Sequence, residues 1–140
     1  MIRLSGVSSK LEDLITALAA SKRSVMKELE ASINDIKAFA AERDWEQFYS
    51  PKNLAMALTS EIGELVEHFQ WLTEEQSSNL SVEKVAEVAA ELADIQIYLL
   101  MLSSKLGINL PVSVQSKIEI NKEKYPAAKV KGSAKKYNEY

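Results

Sequence analysis

Two pairs of acidic residues, each spaced three residues apart, are the strongest chemical pattern in the sequence. They are Glu61 with Glu64 and Glu91 with Asp94. In an α-helix this spacing places both carboxylates of a pair on one face. If the two helices pack antiparallel, up to four carboxylates converge. Each close pair then costs about 4 kcal/mol at a separation of about 4 Å and an effective dielectric of about 20, so something positive must compensate.

Oxygen-rich clusters of this kind favour hard divalent cations. Magnesium binds through a few carboxylates and keeps its other positions for water and substrate phosphates. The pattern therefore predicts a magnesium site that serves a phosphorylated substrate. A single pair would indicate only a solvated helix face. A ferritin-like di-iron site would need Glu-x-x-His twice, whereas the one histidine, His68, follows Leu65 at that spacing.

Two helices that carry these pairs are predicted from capping signals and apolar spacing. Ser50 followed by Pro51 predicts a helix that runs to about Leu72. Ser81 predicts a second, longer helix that ends near Gly107. A polar loop at 73–79 joins the two helices into an antiparallel hairpin.

Both acidic pairs fall in rows beside the apolar stripes of these helices. The first row continues from Glu61 and Glu64 to His68 and Trp71, and the second includes Glu87, Glu91, Asp94 and Tyr98. The acids are therefore expected to border the core. His68 itself is expected to be a partly exposed helix residue.

The composition of the whole chain is consistent with an all-α fold. Its 140 residues include only 4 glycines and 3 prolines and no cysteine, which excludes a disulfide framework and a thiol nucleophile. We expect a bundle of four to five helices around the central hairpin, preceded by two helices or one interrupted helix. A last helix opens at Pro111 and stops at Pro126. The expected division is an N-terminal helical extension (1–24), a catalytic domain (25–126) and a flexible basic tail (127–140).

The charge pattern restricts the partners. Nine acidic residues and one lysine lie between Glu61 and Asp94, whereas the end of the chain is basic. The acidic middle would repel nucleic acid. No apolar run approaches the roughly 18 residues that a membrane span needs. We therefore expect a soluble, cytoplasmic protein that binds neither nucleic acid nor membrane.

Three motifs give the sequence a specific resemblance. They are Glu61-Ile-Gly-Glu-Leu, Glu91-Leu-Ala-Asp-Ile and Lys117-x-x-x-Asn121-x-x-Lys124-Tyr-Pro. With further matches at 41–48, 51–54 and 69–71, the chain resembles the MazG-like, all-α nucleoside triphosphate pyrophosphohydrolases, and their dCTP pyrophosphatase branch most. The resemblance runs from about residue 28 to the end and leaves residues 1–24 without an assigned role.

The resemblance implies cleavage of a nucleoside triphosphate between its α and β phosphates, which yields the monophosphate and pyrophosphate. It implies that Mg²⁺ neutralises the triphosphate, polarises the α-phosphate and activates a bound water. The implied metal ligands are Glu61, Glu64, Glu91 and Asp94, among which Glu64, with Glu61 beside it, is the expected catalytic base. The implied phosphate-binding residues are Lys117, Asn121 and Lys124, and the residues implied for the base and sugar are Trp45, Trp71 and Tyr98.

Substrate choice and assembly stay open at this level. The branch favours dCTP or a modified dCTP and a role in nucleotide-pool housekeeping, while dUTP and damaged purine nucleotides are alternatives. Apolar residues on more than one side of the helices, together with the resemblance, predict a homodimer or homotetramer. From a different class, the same acids could belong to a helical interaction module without enzymatic activity.

Overall fold

All regular structure in the described part of the chain is helical, which confirms the all-α prediction. The computed structural model describes residues 5–134, except for the side chains of residues 5–11, 22, 25 and 26. Its α-helices are α1 (Ser5–Ala41), α2 (Pro51–Glu67), α3 (Glu74–Ser77), α4 (Val82–Lys105), α5 (Leu110–Lys124) and α6 (Ala127–Val130). A single 3-10 turn, Glu46–Phe48, lies between α1 and α2.

The chain divides into two compact units, residues 1–49 and residues 50–140. In the first unit, α1 is one continuous helix, so the expected interruption near Ser24 is wrong. Serine in a helix interior costs only a few tenths of a kcal/mol relative to alanine, too little to end a helix without glycine or proline beside it. The division at residues 24 and 126 remains a prediction.

The first unit ends in a turn with an aromatic cluster. Asp44 has a left-handed backbone with φ of 54°. The Gln47 amide donates to the Asp44 backbone carbonyl at 2.9 Å and to its carboxylate at 2.8 Å. The Arg43 guanidinium lies 3.7 Å from the Phe39 ring centre, and the Trp45 ring meets Phe39 edge to face at 5.8 Å. These contacts hold the turn that follows α1 together.

Helix α2 begins where the capping signals predict but ends earlier than expected. Ser50 accepts a hydrogen bond from the Asn53 backbone N–H at 3.2 Å, and proline follows it inside the helix. The helix ends at Glu67 and residues 68–71 form turns, so the predicted extension to Leu72 is wrong. Thr73 and Gln76 form a reciprocal capping box that starts α3. The chain must leave α2 before Thr73 to make this second cap, and the predicted polar loop therefore contains a short helix.

Helix α4 follows its predicted bounds closely. The Ser81 hydroxyl accepts from the Lys84 backbone N–H at 3.2 Å and caps the N-terminus. The helix ends at Lys105, and Gly107 has φ of 65°, a conformation that glycine adopts without the strain of a Cβ atom. This confirms the sequence signals at both ends of α4.

Helices α2 and α4 pack against each other and form the predicted hairpin. His68, at the end of α2, contacts Glu87 and Glu91 in the first half of α4. Glu61, two turns earlier on α2, interacts with Glu91 and with Asp94 farther along α4. The earlier residue of α2 therefore contacts the later part of α4, so the two helices pack antiparallel.

The buried face of this second unit differs in part from the apolar stripe that the sequence predicts on α4, which includes Val85, Val88, Leu92 and Ile95. Leu54 and Leu100 are almost fully buried, while Val85 and Leu92 keep 52% and 51% of their surface exposed. Val88 and Ile95 of the predicted stripe are half-buried, together with Glu91 and Tyr98 of the acidic row. An apolar stripe this wide cannot be covered by one neighbouring helix, and part of it is exposed among the described residues.

The C-terminal part contains one helix more than expected. The Asn109 side chain accepts from the Val112 backbone N–H at 3.1 Å and caps α5, which has proline at its second position and ends before Pro126. Ala127–Val130 then form α6, so the first residues of the predicted flexible tail are helical. The basic residues Lys135 and Lys136 lie outside the described residues. None of the described helices combines the length and apolar character that crossing a membrane requires.

Candidate active site

Three carboxylates converge where α2 and α4 face each other. Glu61, Glu64 and Glu91 each offer one oxygen atom, and these atoms lie within 4.8 Å of one another. The three-residue step places Glu61 and Glu64 on one face of α2, and the antiparallel packing brings Glu91 of α4 opposite them. Glu61 and Glu91 are half-buried, whereas Glu64 is exposed. The structure thus brings together three of the four acids that the sequence predicts as metal ligands.

Asp94, the fourth predicted ligand, lies at the side of this group. Its charge contributes to the raised pKa of Glu61, so it is within electrostatic reach. Its carboxylate is not among the converging oxygen atoms, and its side chain is exposed. The acidic row predicted on α4 therefore exists, with Glu91 turned toward α2 and Asp94 toward solvent.

Glu61 shows the electrostatic cost of this arrangement. Burial raises its pKa above the ordinary value, and the charges of Glu64, Asp94 and Glu91 raise it further. Each of these effects disfavours the ionised carboxylate. A divalent cation would reverse them, and a set of three carboxylate oxygens is the donor chemistry that hard cations such as Mg²⁺ and Ca²⁺ select. The residues present therefore fit a divalent metal ion.

A series of polar side chains extends from this cluster along the contact of His68 with α4. His68 Nε2 lies 3.8 Å from Glu91 Oε1, and His68 Nδ1 lies 3.6 Å from Glu87 Oε2. Lys84 Nζ lies 2.9 Å from the same Glu87 oxygen. The Lys84 contact lowers the pKa of Glu87, with a smaller lowering by the charge of His68. Glu87 is thereby held as a carboxylate beside the imidazole.

The contacts of His68 with Glu87 and Glu91 were not predicted from the sequence. Its side chain is 16% exposed, in agreement with the partly exposed residue that the sequence predicts. A signal was present, because His68 continues the row of Glu61 and Glu64 at a four-residue step. Antiparallel packing carries that row onto the acids of α4, where a histidine can contact carboxylates.

The predicted phosphate-binding residues lie on α5. Lys117, Asn121 and Lys124 follow one another in steps of four and three, so they share a helix face, and all three are exposed. A face with two cations and an amide is suited to phosphate oxygens. Their assignment to phosphate binding remains a prediction.

The three aromatic residues predicted for the base and sugar have different surroundings. Trp71 is 86% exposed and follows the end of α2, so its predicted place in the helical row of the acids is wrong. Tyr98 is half-buried on α4, one turn beyond Asp94. Trp45 belongs to the first unit, where it is 44% exposed beside Phe39. Their roles in nucleotide binding remain predictions.

Comparison with known proteins identifies relatives of this chain. The sequence model of the MazG-like family matches residues 56–140, which include the acidic cluster and the cationic face of α5. Human dCTP pyrophosphatase 1 is 43% identical over 116 residues, which cover 79% of this chain and 68% of that protein. The bovine protein of the same name is 42% identical with 69% of its length covered.

A solved structure is similar as well. The crystal structure of a pyrophosphatase from Archaeoglobus fulgidus superposes with a TM-score of 0.68 at 35% sequence identity. The similarity covers 71% of this chain and 93% of the archaeal one.

Proposed function

The chain belongs to the MazG-like family, and from this premise we propose that it is a nucleoside triphosphate pyrophosphohydrolase. It converts a deoxynucleoside triphosphate and water into the monophosphate and pyrophosphate. The observation that carries the proposal is the convergence of Glu61, Glu64 and Glu91 from two helices inside the region that matches the family. Close carboxylates repel one another, so a bound cation would stabilise this cluster.

The substrate we propose is dCTP or a modified dCTP, and the role is control of the nucleotide pool. Support comes from relatives named dCTP pyrophosphatase 1 that are 40% to 43% identical to this chain. The alternatives within the same reaction are dUTP and damaged purine nucleotides. A substrate of this kind also agrees with the cytoplasmic location predicted from the sequence.

The metal we propose is Mg²⁺, held by Glu61, Glu64 and Glu91 with Asp94 beside them. Bound there, it would supply charge neutralisation for the triphosphate and polarisation of the α-phosphate. Glu64 is the most solvent-exposed of the three converging acids, so its carboxylate can meet an attacking water and pass the proton on. We therefore assign Glu64 as the general base, with Glu61 beside it on the same face of α2.

The remaining residues bind the nucleotide in this proposal. Lys117, Asn121 and Lys124 contact the β and γ phosphates and stabilise the pyrophosphate that leaves. Trp71 is free of helical packing and exposes a broad ring, which suits stacking on a base for about 1–3 kcal/mol. Trp45 is assigned to the same purpose, and Tyr98 to the sugar.

The test is pyrophosphate release from a panel of canonical and modified nucleoside triphosphates, with Mg²⁺ and with a chelator. We expect Mg²⁺-dependent release that is fastest with dCTP or its modified forms. Glu64→Gln should lower kcat at least about 100-fold, the usual size of a lost general base.

Glu67→Gln provides the matched control, because Glu67 is an exposed glutamate of the same helix outside the converging group. It should leave kcat within about twofold of the unmodified chain. Absence of pyrophosphate release from every nucleotide would identify a binding module instead. Equal activity of the Glu64 and Glu67 variants would remove Glu64 from the reaction.

A further inference from the structure

The turn after α1 contains a strained backbone position. Among the described residues other than glycine, Asp44 is the one with a positive φ, 54°. A residue with a Cβ atom adopts this conformation at a cost, which aspartate and asparagine bear more easily than other side chains. Strained positions that a fold retains cluster at functional sites, and the residue that follows Asp44 is Trp45, which is assigned to the nucleobase.

Asp44 closes the C-terminal end of α1 in a Schellman motif. Its backbone N–H donates to the Ala41 carbonyl at 3.1 Å, and the Trp45 N–H donates to the Ala40 carbonyl at 3.0 Å. This pair of hydrogen bonds forms when the residue at the position of Asp44 is left-handed. An apolar contact across the cap frequently accompanies the motif, and here the Trp45 ring meets Phe39 edge to face at 5.8 Å.

Further contacts hold the aromatic pair and the turn in place. The Arg43 guanidinium lies 3.7 Å from the Phe39 ring centre and donates to the Phe39 carbonyl at 3.0 Å. The Gln47 amide donates to the Asp44 carbonyl at 2.9 Å and to its carboxylate at 2.8 Å. The Trp45 carbonyl accepts a backbone hydrogen bond of 2.9 Å from the 3-10 turn that follows. Trp45 is therefore held through its backbone and its ring, while 44% of its surface stays exposed.

We propose that Asp44 is a positioning residue for nucleobase binding: its left-handed backbone, held by Gln47, keeps the Trp45 ring against Phe39 and exposed for stacking on a base. The inference rests on the proposed function, because it takes Trp45 as a residue that contacts the base. A ring that is already held in the free protein loses little freedom on binding, so its fixation strengthens nucleotide binding. The ring does not act on the cleaved phosphate, so Asp44 should affect KM more than kcat.

Substitutions of Asp44 separate the backbone conformation from the side chain. Asp44→Gly has no Cβ atom and adopts the left-handed conformation without strain, although it loses the carboxylate bond to Gln47. Asp44→Asn keeps an acceptor and is also tolerated there. Asp44→Val is disfavoured, because a β-branched residue at positive φ is strained. Asp44→Ala imposes a milder strain and takes the place of the valine variant if that protein does not fold.

The first measurement is the rate of pyrophosphate release against dCTP concentration at saturating Mg²⁺. We expect Asp44→Val to raise KM about fivefold or more, the lower end of the loss for one stacked ring, with kcat changed less than about twofold. Asp44→Gly and Asp44→Asn should keep KM within about twofold of the unmodified chain. Gly107→Val is the control, because it strains the left-handed position after α4, which no tryptophan follows, and should leave KM unchanged.

The second measurement does not depend on activity. The chain contains two tryptophans, so protein labelled with fluorinated tryptophan gives two fluorine NMR signals, and Trp71→Phe identifies the signal of Trp45. We expect Asp44→Val to shift this signal in the nucleotide-free chain, because valine strains the turn. Asp44→Gly and Asp44→Asn should leave the signal in place. Circular dichroism checks that each variant is folded.

Three results would overturn the inference. They are an unchanged KM or an unchanged Trp45 signal in Asp44→Val, a loss in Asp44→Gly as large as in Asp44→Val, and an equal rise of KM in Gly107→Val. Failure of the proposed function would look different. The unmodified chain would release no pyrophosphate, or Trp45→Ala would leave KM unchanged, while the fluorine signal still showed whether Asp44 holds the ring.

Discussion

At the residue scale, Glu61 carries the electrostatic cost of the acidic cluster. Burial and three neighbouring carboxylates raise its pKa, so the folded protein binds a proton there more tightly than the unfolded chain does. This residue therefore destabilises the metal-free protein increasingly as the pH rises from the unfolded pKa through the folded one. Glu83 and Glu87, whose pKa values are lowered, act in the opposite direction and lose their contribution as the pH falls.

Glu61→Gln isolates this contribution, since both proteins keep Glu83 and Glu87. We expect the substitution to raise the free energy of unfolding of the metal-free protein at pH 7 by up to about 1 kcal/mol, a value kept small because the site is partly solvated. The gain should shrink to zero as the pH falls below the pKa of an unfolded glutamate, about 4.3. Urea unfolding with a chelator at several pH values measures it.

Magnesium should reverse which of the two proteins, the unmodified chain or Glu61→Gln, is the more stable. A ligand that binds only the folded state stabilises it, so saturating Mg²⁺ should make the unmodified chain more stable than Glu61→Gln. Glu67→Gln again serves as the control and should behave like the unmodified chain in both conditions. A Glu61 variant that is less stable without metal would contradict the repulsion argument.

At the element scale, α4 depends on its N-terminal cap to present Glu91. The Ser81 hydroxyl accepts from the Lys84 N–H, and Glu83 in the first turn has a lowered pKa because it accepts hydrogen bonds from its own backbone N–H and from Ser81. A negative charge at this end also complements the helix dipole. The first turns of α4 are therefore held by a small polar network.

We expect Ser81→Ala to lower the free energy of unfolding by about 1 kcal/mol, the usual cost of a lost N-cap. Ser81→Asn should retain most of the stability, because asparagine caps as well as serine does. Urea unfolding of the three proteins at one pH measures the difference. Equal losses in both variants would indicate that the site requires serine for packing instead of capping.

At the scale of the whole molecule, exposed apolar side chains predict self-association. Helices α2 and α4 leave several large ones uncovered within the described chain: Met56 (64%), Ile62 (45%), Val66 (53%), Val85 (52%) and Leu92 (51%). Apolar surface of this kind commonly marks a protein–protein contact. A second copy of the chain would cover it, which agrees with the predicted homodimer or homotetramer.

Sedimentation velocity at micromolar concentration should show a dimer or tetramer. Val66→Lys and Val85→Lys should shift the distribution toward the monomer, because each places a charge on surface that would be buried. Gln70→Lys adds the same charge at an exposed polar residue and should leave the assembly unchanged. Sedimentation of the unmodified chain as a monomer would contradict the prediction.

Local chemistry explains which features were predictable. Serine or asparagine caps and the prolines that follow two of them determine the starts of α2, α4 and α5, and glycine at a left-handed position marks the end of α4. The three-residue step of the acids determines that they share helix faces. These are contacts within a few residues, so the sequence contains all the information they need.

The predicted end of α2 is wrong because two local signals compete there. Apolar spacing continues to Leu72, but the helix stops at Glu67, turns follow at residues 68–71, and Thr73 and Gln76 then cap another helix. Two local signals competed, and only the folded chain shows which one prevailed. Trp71 consequently lies in a turn with its ring exposed.

The sequence by itself determined the helical class, the family resemblance and the acids that face the site, because spacing and caps are properties of neighbouring residues. The tertiary structure decided that Glu61, Glu64 and Glu91 converge while Asp94 stands aside. It also decided that His68 lies between Glu87 and Glu91. These arrangements depend on the register of α2 against α4, and that register follows from packing between residues far apart in the chain.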